Sequence, residues 1–317
     1  MKGRQETDKH IEENIKTILD NSFCILNDYY YFLNDKTMTT KKAYLQHAIS
    51  FLSYIHYNND NSILVSLKPS DIGKFLDYIK RKDNGEEKSQ SWIANIYYGL
   101  SCFMNFLVEE DYIPYNICSK IKAPKNKQEK EMAYLTTKEI EIVKENILND
   151  SRKKWRTRNM AIFLLGCGTG LRASSIREIN VEDMDLDKGT IIVTEKGNKT
   201  WVCHLPNKVI DSIKAWLVDR NKIENLETSA LFISQKKNRI SIDGIEDIVT
   251  KYTEGLDKHV TAHTMRHTCG TNVYEMSGDL YLTAEILHHR NVQTSKIYAK
   301  VSEKKRVEAA QLLNATI

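Results

Sequence analysis

A chain of 317 residues is longer than one ordinary domain and suits two, each large enough to bury its own core. With 41% hydrophobic and 28% charged residues it has neither the composition of a disordered chain nor an apolar run of about 20 residues that could span a bilayer. A net charge of +4 is too small to name a partner, and six scattered cysteines without a C-x-x-C pair exclude a disulfide framework and a zinc site.

The opening MKGRQETDKHIEEN is polar where a secretory leader needs an apolar core, so a cytoplasmic location is expected, with reduced thiols. A first helix is expected before Asn34. From Thr40 to about Tyr57, Tyr44, Ala48, Phe51, Leu52 and Ile55 recur at helical spacing, with Thr39 or Thr40 placed to cap. Asp71 to Lys82 carries a shorter stripe, and Ser91 to about Glu110 a long one through Ile93, Ile96, Tyr97, Leu100, Phe103, Met104 and Leu107. Residues 1–118 therefore read as an all-helical domain. Residues 119–132, rich in lysine and with Pro114 and Pro124 bracketing their start, read as the linker to a second domain at 133–317.

In that second part Thr136 or Thr137 opens a helix, and another from Arg158 runs into the glycine-rich GCGTGLR. Two β-branched runs, Thr190 to Glu195 and Lys199 to Leu205, flank a turn at Gly197-Asn198 and predict a β-hairpin. Helices are expected again at 207–218, 242–252, 263–276 and 281–288. The fold class is thus mainly α, with a small antiparallel sheet in a mixed α/β second domain.

The basic residues are bunched. Lys120, Lys122, Lys125, Lys127 and Lys130 fall in one stretch, and Arg152, Lys153, Lys154, Arg156 and Arg158 in another; each is a solvated surface or a contact for a polyanion, and two such runs favour the polyanion. The acidic DMDLDKG, with Asp183, Asp185 and Asp187, fails as a calcium loop. Its glycine falls at the seventh position rather than the sixth, and Thr194 stands where the closing glutamate belongs, so it reads as a polar turn before the hairpin.

Four segments hold residues that suit a phosphate better than a core. GTGLR delivers Arg172 at a helix start, where a guanidinium can fork onto phosphate oxygens. Lys196, in the hairpin turn, has the reach and the labile proton of a general acid, with Lys199 as competing candidate. HTMRH puts His263 and Arg266 on one helical face, with His267 beside them, an arrangement of cation and imidazole that an anion would relieve. Finally, His289 precedes Tyr298 by nine residues (298 − 289).

This ordered series, Arg, hairpin Lys, H-x-x-R, His and Tyr, resembles the catalytic domain of the tyrosine recombinase, or phage integrase, family in its Xer-like layout. The first domain resembles the helical core-binding (SAM-like) domain of the same family, so the likeness runs from about residue 20 to Ile317. It implies a site-specific DNA recombinase acting on double-stranded DNA sites. Tyr298 is the nucleophile that forms a 3′-phosphotyrosyl intermediate, Arg172 and Arg266 hold the phosphate, and His263 and His289 add hydrogen bonds, His263 also being the candidate base. Lys196 protonates the leaving 5′ oxygen. No metal, other cofactor or ATP is implied.

The resemblance departs at two places: Ser175 stands where an acidic residue is common, and His288 where glycine is usual. Two other readings compete, a non-cutting DNA-binding accessory protein of the same fold and a relaxing enzyme of the type IB topoisomerase kind. After Tyr298, Ser302 can cap a helix whose Ala309, Leu312, Leu313 and Ile317 form one apolar stripe. By the resemblance, that helix passes to a neighbouring subunit and closes a tetramer on two DNA sites.

Overall fold

The computed structural model describes residues 2–81, 87–124, 132–194, 199–289 and 291–299. Lys125, Lys127, Lys130, Lys196 and the whole tail from 300 to 317 lie outside the described residues. The chain divides into two compact units, Met1–Lys130 and Glu131–Ile317.

The first unit is helical: α1 (Lys2–Asp20), α2 (Ile25–Phe32), α3 (Met38–Tyr54), α4 (Asn61–Val65), α5 (Pro69–Ile79) and α6 (Gln90–Glu109), followed by a 3₁₀ turn at Ile117–Lys120. The stripe expected on α6 is its buried face, and Ser89 caps it by accepting from Trp92 N at 3.2 Å. Tyr29 packs edge-on against Phe103 with centroids 4.9 Å apart, joining α2 to the core that α3 and α6 build. The cap of α3 differs from the sequence reading. Thr37, rather than Thr39 or Thr40, has the extended backbone a cap needs, and its hydroxyl accepts from Thr40 N. In a run of threonines the side chains alone do not show which residue stops being helical. Similarly, α5 starts two residues before Asp71, because Pro69 occupies the first turn and Asp71 reaches back to Lys68 N at 3.0 Å.

The second unit contains α7 (Thr137–Leu148), α8 (Arg156–Thr169), α9 (Ala173–Glu178), β1 (Met184–Asp185), β2 (Thr190–Thr194), β3 (Thr200–His204), α10 (Asn207–Asn221), α11 (Ile242–Thr253), α12 (Ala262–Ser277), α13 (Leu280–Ile286) and a 3₁₀ turn at Val292–Ala299. The sheet is antiparallel in the order β1-β2-β3, with Ile192 opposite Val202 and Val193 opposite Trp201. Its first strand is only two residues long, too short to leave an alternating pattern, and it occupies part of the acidic DMDLDKG. The acidic side chains there serve turns: Asp183 accepts from Asn180 N at 2.8 Å, and Asp185 pairs with Lys188 at 2.9 Å. Helix α8 is nearly all core and carries Ala161, Ile162, Phe163 and Leu165 against α10 and α12. No helix among the described residues is long and apolar enough to cross a membrane.

The basic run at 152–158 is divided by the fold. Lys153 and Lys154 are exposed, whereas Arg156 is half-buried and donates to Asp150 O at 2.6 Å. Arg158 is buried, donates to Ile233 O at 2.7 Å and stacks over Trp155. The Asp150 side chain, 3% exposed, accepts from Lys251, from the Tyr252 hydroxyl and from Arg152 N, and lies 3.6 Å from the Arg152 guanidinium. The ammonium of Lys251 and the Tyr252 hydroxyl hold its carboxyl well below the usual range. A depressed carboxyl contributes stability above its unfolded value near pH 4 and loses it as pH falls toward the folded value. We expect Asp150→Asn to cost about 2–4 kcal/mol at pH 7, because it leaves Lys251 facing a neutral partner. That deficit should narrow below about pH 4. Urea unfolding of both proteins at pH 7 and pH 3.5, followed by tryptophan emission, checks both statements.

Candidate active site

The site forms where the ends of α8 and α13 meet one face of α12. Helix α8 ends at Gly170, whose φ of +66° only glycine adopts without strain, and the chain turns at once into Leu171 and Arg172. Arg172 is the N-cap of α9. The same turn aims the Gly170 carbonyl at Arg266 on α12, whose Nη1 donates to it at 2.6 Å. The other terminal nitrogen, Nη2, donates to Leu287 O at 2.6 Å, just past α13. Arg266 is 3% exposed, so its charge is drawn from water and placed between two carbonyls.

Around it stand three imidazoles and one phenol. His263 and His267, one turn apart on α12, meet edge to face with centroids 4.5 Å apart. His267 Nδ1 lies 3.1 Å from the Tyr298 hydroxyl. The His289 ring is parallel to Tyr298 at 6.4 Å, and its Nδ1 is 2.6 Å from the hydroxyl of buried Ser295. Tyr298 is only 7% exposed and packs on Cys269 and Leu287. Gly270 makes room for it: a Cβ there would come within 2.5 Å of the Tyr298 ring.

Charge follows from this crowding. His267 is pushed down to about 4, first by burial and then by His263 and Arg266. His289 is likewise pushed down to about 4, by burial and then by Arg266 and Arg172. His263 keeps an exposed edge and is still lowered by partial burial and by the two arginines. All three are neutral at pH 7, so their ring nitrogens can both donate and accept. Burial pushes the Tyr298 phenol up to about 12, with Arg266 pulling against the rise.

Of the residues expected from sequence, Arg172, His263, Arg266, His289 and Tyr298 come together here. Lys196 lies outside the described residues, between β2 and β3, while Lys199 borders β3. Lys120, Lys122, Arg152, Lys153 and Lys154 are exposed, away from this cluster in sequence. The sequence reading passed over the contact of His267 with Tyr298 and the support of His289 by Ser295. The only sequence signal for the first was the second histidine of HTMRH. It also missed the role of His288, whose φ is +50° and whose ring stacks on Trp201 of β3 at 4.6 Å. The left-handed backbone accounts for glycine being usual there.

The phage integrase family profile matches residues 133–305, more than half of the chain, and the chain belongs to that family. It is similar to tyrosine recombinase XerC of Histophilus somni, 28% identical over 279 residues that cover 86% of this chain and 91% of that protein. Tyrosine recombinase XerD of Oceanobacillus iheyensis is 28% identical over 290 residues, 88% of this chain and 94% of its own length. Among solved structures, XerH site-specific recombinase bound to palindromic difH substrate in a post-cleavage complex shares the fold. Its TM-score is 0.72 at 23% identity, over 91% of this chain and 84% of that one.

A test of the framework follows from Arg266. A lysine keeps the charge but cannot present two coplanar donors to carbonyls on opposite sides. We expect Arg266→Lys to leave one buried carbonyl unpaired and to lower stability by about 1–3 kcal/mol, seen as a fall of several degrees in Tm by calorimetry.

Proposed function

We propose that the protein is a site-specific DNA recombinase that cuts and rejoins double-stranded DNA through a covalent bond to Tyr298. The observation that carries this reading is a buried tyrosine hydroxyl held among neutral imidazoles beside the fixed cation Arg266, with Arg172 at the edge. A phosphodiester suits that setting: the two arginines attract its charge, and its phosphorus offers the electrophile.

In the cleavage step the Tyr298 oxygen bonds to phosphorus and the bond to the 5′ oxygen breaks, leaving a 3′-phosphotyrosyl link and a free 5′ hydroxyl. Arg172 and Arg266 neutralise the non-bridging oxygens, with the Arg266 guanidinium held in place by its two bonds to backbone carbonyls. His289 Nδ1 is hydrogen-bonded to the Ser295 hydroxyl; in the tautomer that accepts there, Nε2–H donates to the phosphate, and His263 donates from its open edge. Lys196 protonates the leaving oxygen. Attack by another 5′ hydroxyl reverses every step on a new strand, so the bond energy is conserved and no ATP, metal or cofactor takes part. Lys120, Lys122, Lys125 and Lys127, with Arg152, Lys153, Lys154 and Arg156, serve as backbone contacts that position DNA without reading its sequence. The helical first unit is the core-binding domain, and the protein works in the cytoplasm.

Tyr298→Phe keeps the ring and its packing but removes the oxygen. It should bind its site normally and form no adduct on a nicked suicide substrate, as read on denaturing gels; a persisting adduct would move the nucleophile elsewhere. Strand exchange between two sites, as against relaxation of any supercoiled plasmid, separates recombination from the topoisomerase-like reading.

The assembly we propose is a tetramer on two sites, closed by the C-terminal helix of each subunit entering a neighbour. Isolated helices of that length are marginal in water and need a groove for their apolar stripe. Deleting residues 303–317 should leave a folded protein that binds one site, without cooperative pairing and with most recombination lost. Gel-shift titration beside a two-site recombination assay measures this, and full cooperativity in the truncated protein would refute the intersubunit role.

A further inference from the structure

The reading above uses Arg172, His263, Arg266, His289, Ser295 and Tyr298, and leaves out the side chain that touches the reacting atom. His267 Nδ1 is 3.1 Å from the Tyr298 hydroxyl. The other two imidazoles are turned to other work: His289 meets Ser295 through Nδ1, with its ring parallel to the phenol at 6.4 Å between centroids, and His263 meets the ring of His267. Position 270, one turn beyond His267, is the glycine whose missing side chain admits the phenol. Helix α12 thus forms a seat for Tyr298, with space at Gly270 and a polar contact at His267.

We propose that His267 is a catalytic residue of the cleavage step, accepting the phenol proton as the Tyr298 oxygen attacks phosphorus, while His263 orients its ring. This rests on Tyr298 being the nucleophile. The step balances without any further reactant. The Oη–P bond forms, the P–O5′ bond breaks, the phenol proton passes to His267 Nδ1, and the leaving oxygen takes a proton from Lys196. Religation returns both protons. In the free protein the imidazole is neutral and the phenol firmly protonated. The proton therefore stays on Tyr298 and moves only as the bond to phosphorus acidifies it, which keeps the nucleophile quiet without DNA.

The test is single-turnover adduct formation on a nicked suicide substrate. His267→Asn puts an amide near Nδ1 that can still hydrogen-bond the phenol but cannot carry its proton. His267→Gln is made in parallel as a second replacement. We expect unchanged DNA binding and adduct formation slower by about a hundredfold. Installing 2,3-difluorotyrosine at position 298 strengthens the acid and lessens the need for a base. It should restore the slow variants by about tenfold or more, and should not restore His263→Asn in the same way, whereas a merely structural defect would not respond to the phenol's acidity. His267 variants at the wild-type rate, or slow variants that fluorination leaves slow, overturn the proposal while Tyr298→Phe remains dead. Adduct formation by Tyr298→Phe overturns the nucleophile assignment, and this proposal with it.

Discussion

The second unit depends on where the Arg266 guanidinium is held. A buried cation is costly unless its donors are satisfied, and here two backbone carbonyls satisfy them, one at the end of α8 and one just past α13. Each carbonyl lies near a helix C-terminus, where the backbone dipoles favour positive charge. One side chain on α12 therefore fixes the ends of two other helices. Both tethered segments lead straight into the site: Arg172 follows Gly170 by two residues, and His288 and His289 follow Leu287.

The same arginine sets the electrostatic character of its surroundings. Burial first, and then Arg266, lowers His263, His267 and His289, with Arg172 adding to the effect on His263 and His289 and His263 adding to that on His267, and burial raises Tyr298. Among the described residues the arginines supply the positive charge near these rings. Had the histidines been charged, they would have bound phosphate as well but could not have accepted a proton. On the function proposed above, an arriving phosphodiester changes that balance, because its charge offsets the arginines.

His288 shows how this chain accommodates a departure from its family. A non-glycine residue in the left-handed region costs roughly 1–2 kcal/mol, and the side chain that incurs this cost lies flat on Trp201. The stack links the segment leading to His289 with strand β3 of the hairpin. A glycine would relieve the backbone and lose the contact, so the substitution exchanges local ease for attachment between the sheet and the active segment.

Most of the fold was legible in the chain, because its helices bury regular stripes and its paired strands β2 and β3 are two β-branched runs. Boundaries were less so: several threonines could cap α3, and a two-residue strand leaves no pattern. The identities of Arg172, His263, Arg266, His289 and Tyr298 were also legible, since their order and spacing are linear properties of the sequence. What only the tertiary structure decided is who touches whom. That Arg266 braces two helix ends, that Ser295 engages His289, and that His267 rather than His263 meets the Tyr298 hydroxyl all depend on a glycine at position 270 and on the turn at Gly170. These contacts join residues far apart in the chain, through burial and backbone direction that no linear spacing encodes.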